Sequence, residues 1–171
     1  IYVDNRYQDG IFKEADLNLL TSIASSAGIA IDNARLYRIA VEKGRMEREL
    51  QMARDVQKTL IPPDTPKLSG WEVAACWKPA HEVSGDYYDF IPVGGGRLAL
   101  VVADVSDKGM PAAMFMALSR SVIRSVAGLS DDPAEVIRKA NELIHRDAAE
   151  GMFITLFYAV FEADSGKLYY V

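Results

Sequence analysis

Cysteine is almost absent. Cys76 is the only one in 171 residues, which excludes an intramolecular disulfide and leaves, within Val73-Ala74-Ala75-Cys76-Trp77, a small hydrophobe expected to be buried. Histidine is scarce as well, and neither His81 nor His145 stands in a recognisable relation to Ser106, so a serine–histidine nucleophile pair is not indicated. Ser106 reads instead as a capping residue. Basic charge is in deficit: 19 Lys and Arg against 24 Asp and Glu give a net charge of −5, and no cluster of Lys and Arg offers a nucleic acid a broad basic face. No apolar run approaches the roughly 18 residues of a membrane span, the longest comparable stretch being Leu98 to Ala103, and no signal peptide opens the chain. Around Lys108-Gly109 the spaced glycines of a phosphate-cradling loop are missing. What is left is ordinary globular composition, half apolar and a quarter charged, for which a folded cytoplasmic protein is the expectation.

The chain opens on Ile1-Tyr2-Val3-Asp4 without an initiator methionine and closes on Leu168-Tyr169-Tyr170-Val171, which reads as a strand in progress, so a piece of a longer protein is expected. Three segments follow one another. In the first, Ile1 to Tyr7 alternates like a short strand, Gln8-Asp9-Gly10 supplies a turn, and a helical pattern begins near Lys13. Leu17, Leu20, Ile23, Ala24, Ala27, Ile31 and Ala34 recur at spacings of three and four and form a stripe too broad for that strand to cover.

From Ile29 the stripe narrows to a heptad seam, with Ile29, Leu36, Lys43, Leu50 and Gln57 at one position and Asp32, Ile39, Met46, Ala53 and Leu60 at the other. Most are apolar, and charges of both signs lie between them, which predicts a parallel coiled-coil homodimer ahead of a single amphipathic helix folded back on its own domain. A helix from Lys13 to Leu60 would be about 70 Å long at 1.5 Å per residue. Gly44 marks a place for a kink. Ile61-Pro62-Pro63-Asp64-Thr65-Pro66 ends the helix and marks a domain boundary.

Beyond Pro66, strands and helices come in blocks. Trp71 to Trp77, Tyr87 to Val93 and Arg97 to Asp104 read as strands, the last two joined at Gly94-Gly95-Gly96. Pro111 to about Val126 is a Met- and Ala-rich helix whose Met110, Met114 and Met116 are expected in the core. Asp132-Pro133-Ala134-Glu135 begins a second helix, with a capping acid and proline at the first helical position, that runs to about Arg146. Phe153 to Glu162 and Lys167 to Val171 make a hairpin around Asp164-Ser165-Gly166. This order predicts an α+β layered sandwich.

Two acids stand out, Asp86 in Ser84-Gly85-Asp86-Tyr87-Tyr88-Asp89 and Asp104 in Ala103-Asp104-Val105-Ser106-Asp107-Lys108-Gly109. They flank an apolar strand, and each lies where backbone bends, so that its carboxylate can face a hard divalent cation such as Mg²⁺ or Mn²⁺. Two such ions about 4 Å apart suit phosphoryl chemistry. Taken singly, each acid, like Asp89 and Asp107, reads first as a turn former.

Together, Val83-Ser84-Gly85-Asp86-Tyr87-Tyr88-Asp89-Phe90, Asp104-Val105-Ser106-Asp107-Lys108-Gly109-Met110-Pro111-Ala112-Ala113 and Met152-Phe153-Ile154-Thr155-Leu156-Phe157 closely resemble the bacterial SpoIIE-type (RsbU-like) serine/threonine phosphatases of the metal-dependent PPM superfamily. Ala53-Arg54-Asp55-Val56-Gln57-Lys58-Thr59-Leu60-Ile61-Pro62 is similar to that family's lead-in helix. The resemblance implies a partial αββα sandwich preceded by a long dimeric helix, with Asp86 and Asp104 as carboxylate ligands, and catalytic residues, of a Mn²⁺/Mg²⁺ pair, and the Val105 carbonyl as a backbone ligand. It implies hydrolysis of phosphoserine or phosphothreonine by metal-activated water, on a STAS-domain anti-anti-sigma partner. Asp107 departs from the family's usual glycine, and the chain stops before the family's later Asp motifs, so the piece alone is expected to be weak or inactive.

Phe12-Lys13-Glu14-Ala15-Asp16-Leu17 and Ala27-Gly28-Ile29-Ala30-Ile31-Asp32-Asn33-Ala34-Arg35-Leu36-Tyr37 resemble the end of a GAF sensor domain. The expected organisation is therefore a GAF remnant over residues 1–37, a helical linker over 38–66 and the N-terminal part of a phosphatase domain over 67–171, with sensor state passed along the linker. A non-catalytic sensor-relay or partner-binding dimerisation module is the rival reading.

Overall fold

A computed structural model describes residues 1–7, 10–149 and 151–171, and the chain divides into two compact units, Ile1–Arg48 and Glu49–Val171. The first helix, α1 (Glu14–Leu60), begins in the first unit and ends in the second.

In the first unit, Ile1 to Tyr7 forms no strand, because an alternating pattern without a partner to pair leaves its backbone bonds to water. The turn expected at Gln8-Asp9-Gly10 falls outside the described residues except for Gly10, which has a φ of 71°. The helix starts where the sequence pattern does. The Asp16 carboxylate accepts the Lys13 N–H at 2.9 Å, half of a capping box, and Glu14 and Asp16 suit the positive end of the helix dipole. Of the apolar stripe only Leu20, Ala24 and Ala27 are half-buried, while Leu17, Ile23 and Ile31 are exposed. Gly44 neither breaks nor ends the helix.

The second unit is built on an antiparallel sheet in the order β1 (Tyr87–Gly94), β2 (Arg97–Val105), β3 (Ile154–Glu162), β4 (Lys167–Tyr170). Gly94, Gly95 and Gly96 all have positive φ, so the β1–β2 turn needs the conformational freedom that glycine alone supplies without strain. Two helices, α2 (Met110–Val126) and α3 (Pro133–Asp147), cover one face. Asp132 caps α3, accepting the Ala134 N–H at 2.9 Å with Pro133 following. Residue alternation decides the faces. Tyr87, Ile91, Ala99, Val101, Ala103, Tyr158 and Val160 point to the helices and form the core with Ala112, Phe115, Met116, Ile123, Val136, Ala140 and Ile144. Met116 is buried, but Met110 and Met114 are exposed, since the three methionines do not share one helix face.

The result is α+β, one helix layer on one sheet. The expected strand at Trp71 to Trp77 does not form: apart from an isolated Leu68–Trp71 bridge the segment is extended and unpaired. A strand exists only through a ladder partner, and none of the described strands pairs with this segment. Cys76 is accordingly exposed rather than buried. The segment lies along the sheet face opposite the helices, bounding a groove of about 1040 Å³ with Tyr88, Phe90, Leu100, Val102 and Phe157.

Candidate metal centre

The two acids singled out by sequence meet at one end of this groove. Tyr87 pairs with Ala103 across β1 and β2, and one further step of the same register sets Asp86 opposite Asp104. Both residues are exposed, on the side away from the helices. Their carboxyl groups come within hydrogen-bonding reach, and the Asp86 carboxyl is raised above the usual carboxylate range by partial desolvation, by its hydrogen bond to Asp104 and by the Asp104 charge.

Asp89 goes elsewhere. Three residues on from Asp86, it falls on the opposite pleat and is buried against α2. Arg124 grips it with two bonds, Nε to Oδ2 at 2.5 Å and Nη2 to Oδ1 at 2.8 Å. Arg120 Nε lies 3.2 Å from Oδ2 without hydrogen-bond geometry, an ion pair only. Asp89 is thus a structural counter-ion between sheet and helix, not a turn former or a ligand.

The backbone around Asp86 is held from several sides. Its N–H donates to Ser84 Oγ at 3.0 Å, and its carbonyl accepts from Trp77 Nε1 at 2.8 Å. Ser84 in turn exchanges two buried bonds with Gln57 of α1: Gln57 Nε2 donates to the Ser84 carbonyl at 2.6 Å, and Ser84 N–H donates to Gln57 Oε1 at 3.0 Å. Between them Gly85 packs so closely that an added Cβ would stand 3.0 Å from both the Val105 Cβ and the Val105 carbonyl oxygen. Any side chain would push the Asp86 strand away from β2. Sequence reasoning placed Gln57 in a dimer seam and Trp77 in a strand; the signal for Gln57 was a polar residue at an apolar heptad position.

On the other strand, Val105 ends β2 opposite Ile154 with its side chain buried. Ser106 does not cap α2. Its N–H donates to the Phe153 carbonyl and its Oγ accepts the Phe153 N–H, both at 2.9 Å, so it ties the Asp104 loop to the start of β3. The N-cap of α2 is Gly109, with no side-chain bond. Asp107 is the one non-glycine residue with positive φ among the described residues, at 77°, and its carboxylate accepts the next N–H, of Lys108, at 2.8 Å. Asp tolerates this conformation better than most side chains.

The donor set suits a hard divalent cation: two facing carboxylates that make no ion pair with a base among the described residues. Among the described residues no group of three or more His, Cys, Asp and Glu converges on one point, so this pair alone would supply only part of a coordination shell. Among the described residues no helix is long and apolar enough to cross a membrane.

Comparison with known proteins bears on family and fold. Residues 94–171 match the family described as Stage II sporulation protein E (SpoIIE). Protein IcfG of Synechocystis sp. (strain ATCC 27184 / PCC 6803 / Kazusa) is 34% identical over 160 residues, covering 77% of this chain and 25% of the relative. Phosphoserine phosphatase RsbU of Bacillus subtilis (strain 168) is 28% identical over 154 residues, covering 90% of this chain and 45% of the relative. The chain therefore spans a quarter of one curated relative and less than half of the other. Among solved structures, the SiaA-PP2C domain of Pseudomonas aeruginosa matches with a TM-score of 0.64 at 20% identity, over 77% of this chain and 54% of that one, which shows a shared fold.

Proposed function

This chain is of the SpoIIE/RsbU-like type within the PPM phosphatases, and from that premise we propose that it serves a metal-dependent phosphatase acting on phosphoserine or phosphothreonine of a protein substrate. The observation that carries the reading is the juxtaposition of Asp86 and Asp104 on the open face of the sheet. Asp86 and Asp104 would hold Mn²⁺ or Mg²⁺ through their carboxylates, with the Val105 carbonyl beside them. When bound, such cations neutralise phosphate charge and acidify water. This chain's residues supply rigid placement: Asp104 stands near the end of a paired strand, and Asp86 is fixed through Ser84 and Trp77.

The substrate we infer is a phosphorylated STAS-type protein of a partner-switching system, in keeping with the phosphoserine phosphatase RsbU as a relative. Residues 1–37 would be the end of a GAF-like sensor and residues 38–66 a dimerising linker that passes its state to the phosphatase part, residues 67–171. The exposed apolar residues Ile29 and Leu36 at the sensor end of α1 and Ile39 and Met46 in the linker support one continuous dimer seam.

The test is phosphate release from a phosphoserine STAS protein by the full-length protein, with Mn²⁺ titrated. Asp86→Asn and Asp104→Asn should each lower kcat/KM by about a hundredfold or more, since charge stabilisation by a bound ion amounts to several kcal/mol. Wild-type turnover in either variant overturns the assignment of that acid. The rival, a partner-binding module, is favoured by the presence of only two converging acids among the described residues; wild-type protein that binds the phosphoprotein but never hydrolyses it would establish that reading.

A further inference from the structure

Gln57 is the one fully buried residue of α1. A helix face that packs on a core is ordinarily apolar there, and an unpaired amide in that place would cost free energy. Gln57 is not unpaired: it satisfies both backbone groups of Ser84, as a neighbouring strand would. No strand pairs with Ser84, which lies before β1. The amide therefore replaces the missing ladder partner at the residue whose hydroxyl accepts the Asp86 N–H.

We propose that Gln57 is a positioning residue of the metal centre, its side-chain amide fixing the Ser84-Gly85-Asp86 bend and thereby the place of the Asp86 carboxylate opposite Asp104. The role rests on the reading of Asp86 as a ligand. Leucine at this position would fill the space with neither bond, leaving the buried Ser84 N–H and carbonyl without partners and the bend free to shift. Partners one step removed from a ligand ordinarily change metal affinity by about 10- to 100-fold when removed.

The experiment is equilibrium binding of Mn²⁺ alone to the full-length protein, with free ion followed by electron paramagnetic resonance and the metal-free melting temperature measured in parallel. Four proteins are compared: wild type, Gln57→Leu, Asp86→Asn and Leu60→Ala. Leu60 packs α1 on the same core, and its apolar side chain makes no hydrogen bond to Ser84, so its variant reports general loosening. Gln57→Leu is expected to weaken Mn²⁺ binding at least about tenfold, with Leu60→Ala near wild type even where the two melt alike. If Asp86→Asn loses Mn²⁺ and Gln57→Leu keeps wild-type affinity, the positioning role is overturned and the ligand assignment stands. Equal losses in Gln57→Leu and Leu60→Ala at equal melting temperature also overturn it. If wild type binds no Mn²⁺, or Asp86→Asn binds like wild type, the ligand assignment itself fails and this role with it. Should Gln57→Leu not fold, Ser84→Ala removes only the hydroxyl link to Asp86 and carries the same expectation, with wild-type affinity overturning the role.

Discussion

Asp86 and Asp89 differ by three positions and by everything else. An odd spacing on a pleated strand sends the two carboxylates to opposite faces, one toward Asp104 and the groove, the other under the sheet to Arg120 and Arg124. The buried acid has its charge balanced by two arginines, whereas among the described residues the pair on the open face makes no ion pair, and that asymmetry separates a structural acid from a candidate ligand. Asp89→Asn would leave two guanidinium groups facing a neutral amide, one of them well buried. The expected loss is about 3 kcal/mol, toward the lower end for a broken buried pair because Arg124 is 40% exposed. A lower urea midpoint with unchanged slope would register it; a loss under about 1 kcal/mol would show that the cluster contributes little to folding.

Among the elements, α1 is held together by different means along its length. Near its start Asp16 caps it, and Thr21 and Ser25 return their hydroxyls to the carbonyls of Leu17 and Thr21. Near its end, Gln57, Leu60 and the following Ile61 belong to the core of the second unit. Its middle carries Gly44, with open space where a Cβ would go. Gly44→Ala should therefore stabilise the helix by about 1 kcal/mol, visible as a higher melting temperature by circular dichroism at 222 nm. A decrease would mean that the glycine serves a bend absent from this structure. Periodicity predicted this helix to within a residue at each end, and predicted β1, β2, α2 and α3 nearly as closely, because those patterns are local. It misjudged Ile1 to Tyr7 and Trp71 to Trp77, where alternation was present and a partner strand was not.

For the whole molecule, the seam and the groove are two of the places where apolar surface stands open. Leu36 and Ile39 project from α1 into solvent, 63% and 54% exposed, beyond what a lone helix tolerates cheaply. In the full-length protein, replacing both with lysine should weaken self-association at least about tenfold by sedimentation equilibrium; identical masses for variant and wild type across the concentration range would rule out this seam as the dimer contact. By itself the sequence determined the three helices, the four strands of the sheet without excluding two that do not form, the α+β class, the glycine turn, the Asp132 cap and Asp86 with Asp104 as a motif, because each depends on neighbours within a few residues or on a recurrent local pattern. Only the tertiary structure decided that Asp89 is a buried counter-ion, that Ser106 ties a loop instead of capping a helix, that Cys76 is exposed, and that Gln57 leaves the seam to hold Ser84. Those assignments depend on which face a side chain meets and on contacts 27 to 47 residues apart, and no local pattern carries that information. The two aspartates were visible as letters; that their carboxylates face each other follows from the register of β1 on β2.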